Sequence, residues 1–491
     1  MKKILSIFLV LLVFSSCAKL EDLNKNIKDP PVVPGESLFT AAQKRLFDQM
    51  VTPNVNLNIW RMFAQQWTET TYNDESIYDI ITRPIPGNHW NQMYVSVLKN
   101  FDESGKVVAA TGSKAGDNPA VLVNKLAIVE VMKVYAYSVL VESFGNVPYS
   151  EALKNGVLLP KYDDGLTIYK DLIARLNAAI GKMDPAYGSF GDADNMYYGD
   201  VSGWLKFANS LKLRMGMLLS DVEPALAKTT VEAAAPGVIL ANADNARIVY
   251  MSAQPNDNPI YENLVASGRH DFVGANTFID KMNSLNDPRL PYYFTMVDTS
   301  TVIGTPKMAY VGGIYGALND YTQFSHVADK IQDPTFEAVI FDASETEFLL
   351  AEGAARGFAV GGTLIGHYNQ AITLSFQYWS KTDTVPATYL AQTAVNYATA
   401  TGTWKQKIGE QKWLALFNRG FEAWTAWRML DYPVLVKPAD AKTDIPLRLT
   451  FPVVEQTLNG ANYNAAAAAL GTGGDAVTTR LFWDMFPPNK K

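Results

Sequence analysis

The sequence predicts a mainly α-helical protein with paired helices in a superhelical scaffold, one loop-rich irregular insertion and little β-structure. Apolar residues recur at helical spacing through most of residues 36–235 and 344–432. Residues 236–343 are instead rich in Gly, Pro, Asn and Asp and hold no sustained period. Only two short stretches, RIVYMSA and LRLTFP, favour strands. Helical layers with a single irregular insertion are therefore the expected architecture.

The chain begins with a segment typical of a secreted lipoprotein. Lys2 and Lys3 precede an apolar run of eleven residues that ends at Phe14, and the only cysteine of the chain follows at Cys17. Such a run spans about 16 Å, roughly half of a bilayer core, so it predicts a cleaved signal peptide over residues 1–16. The small residues before Cys17 resemble a lipobox, which predicts lipidation of its thiol. A plain signal peptide that is removed together with Cys17 is the alternative.

The rest of the chain divides by composition. Residues 17–35 are polar and rich in proline, which is typical of a tether. We expect a single domain over residues 36–491. Within it, the helical scaffold covers about 36–235 and 344–432, a ligand-facing insertion covers about 236–343, and an irregular tail covers 433–491.

Several helices have explicit start and stop signals. Residues 119–144 predict a long, largely buried helix, and Gly145 can take the positive φ that ends it. Asp200 and Ser202 are candidate N-caps for the helix that runs to about residue 220, and Ser344 with Glu347 resembles a capping box.

Two further patterns concern helix faces. Trp60 and Trp67 are seven residues apart, which predicts one face of a single helix. The small residues in AEGAARG and YNQAI allow close antiparallel packing of two helices, as in a tetratricopeptide hairpin.

Composition excludes some classes of function. A net charge of −7, which becomes −9 when Lys2 and Lys3 are removed, disfavours nucleic-acid binding. The chain has no zinc-protease, nucleophile-elbow or Walker motif, so no catalytic residue is assigned. Its four histidines are scattered, and we expect no metal and no cofactor.

Several segments, in this order, resemble one known family. FGNVPYSEAL, WLKFANSLKLRMGM, ETEFLLAEGAARG, IGEQKWLALFNRGFEAWTAWRMLDYP and RLTFPVVEQTLNGANYNAA are similar to blocks of the SusD/RagB outer-membrane lipoproteins of Bacteroidetes, and the spacing is closest to the second SusD/RagB-like subgroup. The resemblance implies a surface-exposed, lipid-anchored protein of the outer membrane that binds glycans, or in some members peptides. It also implies a partner, a SusC-like TonB-dependent β-barrel transporter.

Aromatic residues outside helical stripes, with neighbouring arginines, are the candidate ligand contacts. A sugar ring stacks on an aromatic face, and polar neighbours hold its hydroxyl groups. The candidates are Tyr72, Tyr78, Arg83, Trp90, Tyr261, Arg269, Tyr310, Tyr315 and Tyr321.

Two alternatives stay open at this point. The chain could be a secreted glycan-active enzyme, because a glycosidase needs only two carboxylates, which no pattern excludes among 49 acidic residues. It could also be a tetratricopeptide-like module that binds only protein. The sequence does not distinguish a glycan ligand from a peptide.

Overall fold

The computed structural model describes residues 33–80, 82–113, 116, 118–300, 306–381 and 384–485. Cys17, where lipidation is predicted, the predicted signal peptide and most of the predicted tether lie outside the described residues. The principal helices are α1 (Gly35–Val51), α2 (Trp60–Phe63), α3 (Ile85–Asn91), α4 (Lys99–Thr111), α5 (Pro119–Phe144), α6 (Gly165–Ile180), α7 (Val201–Leu218), α8 (Pro224–Ala234), α9 (Pro259–Tyr261), α10 (Asn276–Ser284), α11 (Leu290–Tyr293), α12 (Ala343–Ala355), α13 (Leu364–Ser380), α14 (Ala387–Leu390), α15 (Trp404–Ala415), α16 (Gly420–Leu430), α17 (Val453–Leu458) and α18 (Gly460–Ala469).

The long helix α5 confirms the prediction for residues 119–144. The side chain of Asn118 accepts a hydrogen bond from Ala120 N at the start, and Gly145 ends the helix with φ of 84°. Its second half is buried all round, because α4, α6 and α7 pack around it. A helix with so little polar surface is stable only inside a layered scaffold.

Neighbouring helices in the chain pack against each other, which is the tetratricopeptide-like arrangement that the sequence predicts. Helix α4 packs on α5, α5 on α6, α6 on α7, and α7 on α8. Helices α12 and α13 form the closest pair, and α15 and α16 continue the scaffold. The fold is mainly α, as expected. No helix in the described part of the chain is long and apolar enough to cross a membrane.

The strands are short. In the part of the chain that the structure describes they are β1 (Trp67–Glu69), β2 (Val147–Pro148), β3 (Tyr162–Asp163), β4 (Ala246–Ile248), β5 (Phe272–Gly274), β6 (Val297–Asp298), β7 (Met308–Ala309) and β8 (Ala338–Phe341). They form four two-stranded antiparallel sheets, β1–β5, β2–β3, β4–β8 and β6–β7. The β1–β5 pair joins the N-terminal scaffold to the irregular insertion.

Three local predictions are wrong. Trp60 and Trp67 do not share a helix, because α2 ends at Phe63, Gln65 adopts φ of 53°, and Trp67 opens β1. The N-cap of α12 is Asp342, whose side chain accepts from Glu345 N, so Ser344 lies inside the helix.

The third error concerns the segment after residue 433, which was expected to be irregular apart from a strand at LRLTFP. That stretch has no strand, and the segment contains helices α17 and α18. An alanine-rich run such as NAAAAA favours a helix by intrinsic propensity alone.

Candidate functional site

A polar cavity of about 430 Å³ opens at the end of the β1–β5 pair. Three segments line it: residues 53–56 after α1, residues 69–83 after β1, and residues 263–272 before β5. The register of the sheet places Glu69 opposite Phe272, and Thr70 N donates to Asp271 O at 2.9 Å. Pairing of three residues on each strand therefore brings together positions that are more than 200 residues apart.

Arg83 fastens the wall of the cavity. Its guanidinium donates to Asn56 Oδ1 at 2.7 Å, forms a close ion pair with Glu75, and lies 3.8 Å from Asp74 Oδ2. These contacts tie the loop after β1 to the loop after α1. The arginine is thus held in place by groups of the protein before any ligand enters.

A pair of carboxyl groups lies at the floor of the cavity. Glu69 and Glu75 are both buried and hydrogen-bonded to each other. Burial raises the pKa of Glu69 well above its ordinary value, and so does the hydrogen bond that the protonated form of Glu69 donates to Glu75. Glu69 Oε2 also accepts from Ser76 N at 2.9 Å and from Ser76 Oγ at 2.6 Å. The close contact between two buried carboxyl groups therefore favours the protonated form of Glu69.

The opposite wall is more exposed. Arg269 Nε donates to Asp271 Oδ2 at 2.5 Å, and this pair raises the pKa of Arg269. The Tyr72 ring is 65% exposed, which leaves its face open for stacking. The cavity therefore combines one accessible aromatic ring with several hydrogen-bond donors and acceptors. This arrangement suits a polyhydroxylated ligand.

Tyr72, Arg83 and Arg269, three of the predicted contact residues, line this cavity. Sequence analysis missed the acidic residues of the lining, Glu69, Asp74, Glu75 and Asp271. They lie close to Tyr72 and Arg269 in the stretches ETTYNDES and GRHDF, and that proximity was the available signal.

Three other candidates are buried. Tyr78, Trp90 and Tyr315 fill the core, and burial raises the pKa of Tyr78 to about 12. The Tyr315 hydroxyl donates to Met62 O at 2.6 Å, and the Trp90 ring packs edge-on against Phe144. Their faces are covered by protein, so they are not free platforms. Sequence spacing cannot reveal this, because burial depends on which distant elements pack around the loop.

The remaining candidates lie outside the lining. Tyr261, Tyr310 and Tyr321 are partly buried. The Tyr321 ring stacks on His270 and His326, with centroids 4.3 Å and 3.7 Å away. His270 lies between the lining residues Arg269 and Asp271 in the sequence. Tyr321 therefore packs against the segment that forms this part of the cavity rim.

A second, wider groove of about 570 Å³ lies on the helical scaffold beside α4, α5 and α6. Two of its cationic groups, Lys133 and Arg175, are already paired. Lys133 binds Asp102 at 2.7 Å, and the Arg175 guanidinium binds Glu130 and covers the Tyr149 ring. This groove brings together none of the predicted contact residues.

Metal coordination finds no support among the described residues, where no group of three or more His, Cys, Asp or Glu side chains is arranged to hold an ion.

Comparison with known proteins defines the class. The family model for SusD-like proteins, described as starch-binding and associating with the outer membrane, matches residues 25–452. The chain belongs to this SusD-like family. The comparison with curated proteins gives no match.

Solved structures agree with this assignment. A chitin-binding SusD homologue from Flavobacterium johnsoniae is 26% identical, with a TM-score of 0.75 over 92% of this chain and 100% of that one. A SusD homologue from Bacteroides uniformis is 25% identical, with a TM-score of 0.76 over 91% and 99%. One from Bacteroides ovatus is 25% identical, with a TM-score of 0.75 over 91% and 99%. The architecture is therefore shared along nearly the whole chain.

Proposed function

We propose that this protein is a surface-exposed lipoprotein that captures oligosaccharides in the cavity beside Tyr72 and delivers them to a TonB-dependent transporter. The observation that carries the proposal is the cavity itself, which is lined by an exposed tyrosine and by polar groups on a SusD-like scaffold. The chitin-binding homologue supports a glycan over a peptide as the ligand class.

The buried pair of acid groups does not have the arrangement of a glycosidase. Glycosidases hold two carboxyl groups about 5–10 Å apart on opposite sides of the scissile bond. Glu69 and Glu75 are buried and in contact with each other, so no sugar ring fits between them. This geometry favours a structural role for the pair.

The binding step is tested with an array of oligosaccharides, followed by titration calorimetry on the strongest ligand. We expect Tyr72→Ala to weaken binding at least about tenfold, because the exposed platform is lost. Tyr187→Ala is the matched control, since Tyr187 is an exposed tyrosine outside the cavity lining. Equal loss in both variants, or no loss in either, would contradict the proposed site.

Lipid anchoring and delivery are tested in cells. Lipidation of Cys17 places the protein in the outer-membrane fraction, and Cys17→Ala should release it into the soluble fraction. A β-barrel transporter should co-purify with the wild-type protein from native membranes. Retention of Cys17→Ala in the membrane, or a preparation without a barrel partner, would count against this part of the proposal.

A further inference from the structure

The charges around the cavity are unequal. Asp74, Glu75 and Asp271 contribute three carboxylates, whereas Arg83 and Arg269 contribute two guanidinium groups. Glu69, which is buried, adds a fourth carboxyl group. The lining therefore holds more acidic than basic side chains.

Both guanidinium groups of the lining are already engaged by carboxylates of the protein. Arg83 is paired with Glu75 and held by Asn56, while Arg269 is paired with Asp271. An acidic ligand would have to compete with these partners for either arginine, and the neighbouring carboxylates of Asp74 and Asp271 would repel it.

The carboxylates suit another kind of ligand. Asp74 is the more exposed of the two rim acids, with 47% of its side chain accessible, and Asp271 is 27% accessible. Their oxygens accept hydrogen bonds from sugar hydroxyl, amide or ammonium groups. Asn54 and Asn56 in the facing loop supply amide groups that both donate and accept.

We propose that this cavity selects oligosaccharides that are uncharged or carry amino groups, and discriminates against chains that carry uronate or sulfate groups. The inference rests on the proposed glycan-binding function and names the substrate class of the same site. Asp74 and Asp271 are the residues that set this selectivity, because their carboxylates are the accessible ones.

The test compares three ligands of equal length on the full chain purified in detergent: triacetylchitotriose, which is neutral, chitotriose, which carries amines, and trigalacturonate, which is acidic. A broader array of neutral, aminated and acidic glycans is screened at the same time. At low ionic strength, we expect every ligand whose binding is weakened by Tyr72→Ala to be neutral or aminated. Acidic chains should bind at least about tenfold more weakly than these ligands. That difference should shrink in high salt.

Removal of the accessible carboxylates supplies the second measurement. Asp74→Asn/Asp271→Asn removes two carboxylates of the lining and keeps both guanidinium groups. The readout is the ratio of the affinities for an acidic and a neutral chain, which should rise at least about tenfold in the variant, whatever happens to either affinity alone. Asp192→Asn/Asp440→Asn is the control, with the same change in net charge at exposed positions outside the lining.

The outcomes separate the two proposals. An acidic glycan that binds the wild type as tightly as the neutral one, and is weakened by Tyr72→Ala, overturns the selectivity and leaves the binding function intact. Equal effects of the cavity and control variants also overturn the selectivity. Absence of binding to every glycan on the array overturns the proposed function, and the selectivity with it.

Discussion

The ion pair between Arg83 and Glu75 should be a main determinant of stability near the cavity. We consider Arg83→Met, which keeps the length and apolar stem of the side chain but removes the guanidinium. The substitution breaks the pair with Glu75, the hydrogen bond to Asn56, and the longer contact with Asp74.

The structure gives the size of the effect. The Glu75 side chain is fully buried, and loss of one partner of a buried pair costs about 3–5 kcal/mol. Arg83 is itself 25% exposed, so water replaces part of the interaction and the lower end of that range applies. Asn56 and Asp74 are exposed and add little. We expect Arg83→Met to lower the free energy of unfolding by about 3 kcal/mol.

The assay is a double-mutant cycle measured by urea denaturation of the wild type, Arg83→Met, Glu75→Gln and the double variant. Glu75→Gln removes the charge that Arg83→Met leaves unpaired, so the double variant should lose about 2 kcal/mol less than the sum of the single variants. Lys106→Met, at a surface ion pair, is the control and should change the free energy by less than about 1 kcal/mol. Additive effects within about 0.5 kcal/mol, or a loss below about 1 kcal/mol in Arg83→Met, would refute this reasoning.

Three further outcomes are expected. Burial raises the pKa of Glu69, so its contribution to stability is fully present below the ordinary glutamate pKa and is lost as pH rises toward the raised pKa. Glu69→Gln should abolish this loss, so the free energy of unfolding should depend less on pH between pH 5 and pH 8 in the variant than in the wild type. Parallel pH profiles of the two proteins would contradict this expectation. Tyr315→Phe should cost about 1 kcal/mol in denaturation experiments, because Met62 O loses its donor, and should leave glycan affinity unchanged; a weaker affinity would mean that the ring does contact ligand. Lys412→Met should cost about 3–5 kcal/mol, measured by denaturation, because Glu352 is fully buried 2.7 Å from the ammonium group; partial recovery on adding Glu352→Gln is required by this explanation.

Local sequence signals predict a helix of the scaffold correctly where it has both an apolar stripe at helical spacing and a capping or stop signal. Residues 119–144 form a helix with the expected bounds. Of the two N-cap candidates for α7, Asp200 is the cap and accepts from Ser202 N and Gly203 N, whereas Ser202 lies inside the helix. The same reasoning failed between Trp60 and Trp67, where a positive φ at Gln65 redirects the chain. A seven-residue spacing of apolar residues predicts a helix, but a single residue with a non-helical backbone torsion ends that helix.

The candidate site was predictable only in part. The aromatic and basic residues of loops identified Tyr72, Arg83 and Arg269, but the same criterion also selected Tyr78 and Tyr315, which the fold buries. Exposure of a loop side chain depends on the elements packed around it, which may come from any part of the chain.

The class of fold can be predicted from the sequence alone, because the helical period, the caps and the helix breaks depend on residues that are close together in the chain. The position of the cavity depends on the tertiary structure. The pairing of β1 with β5 joins residues 69–83 to residues 263–272, and Arg83 closes the third side against Asn56. Such contacts between distant segments are fixed by packing and by buried charge, which have no local period in the sequence.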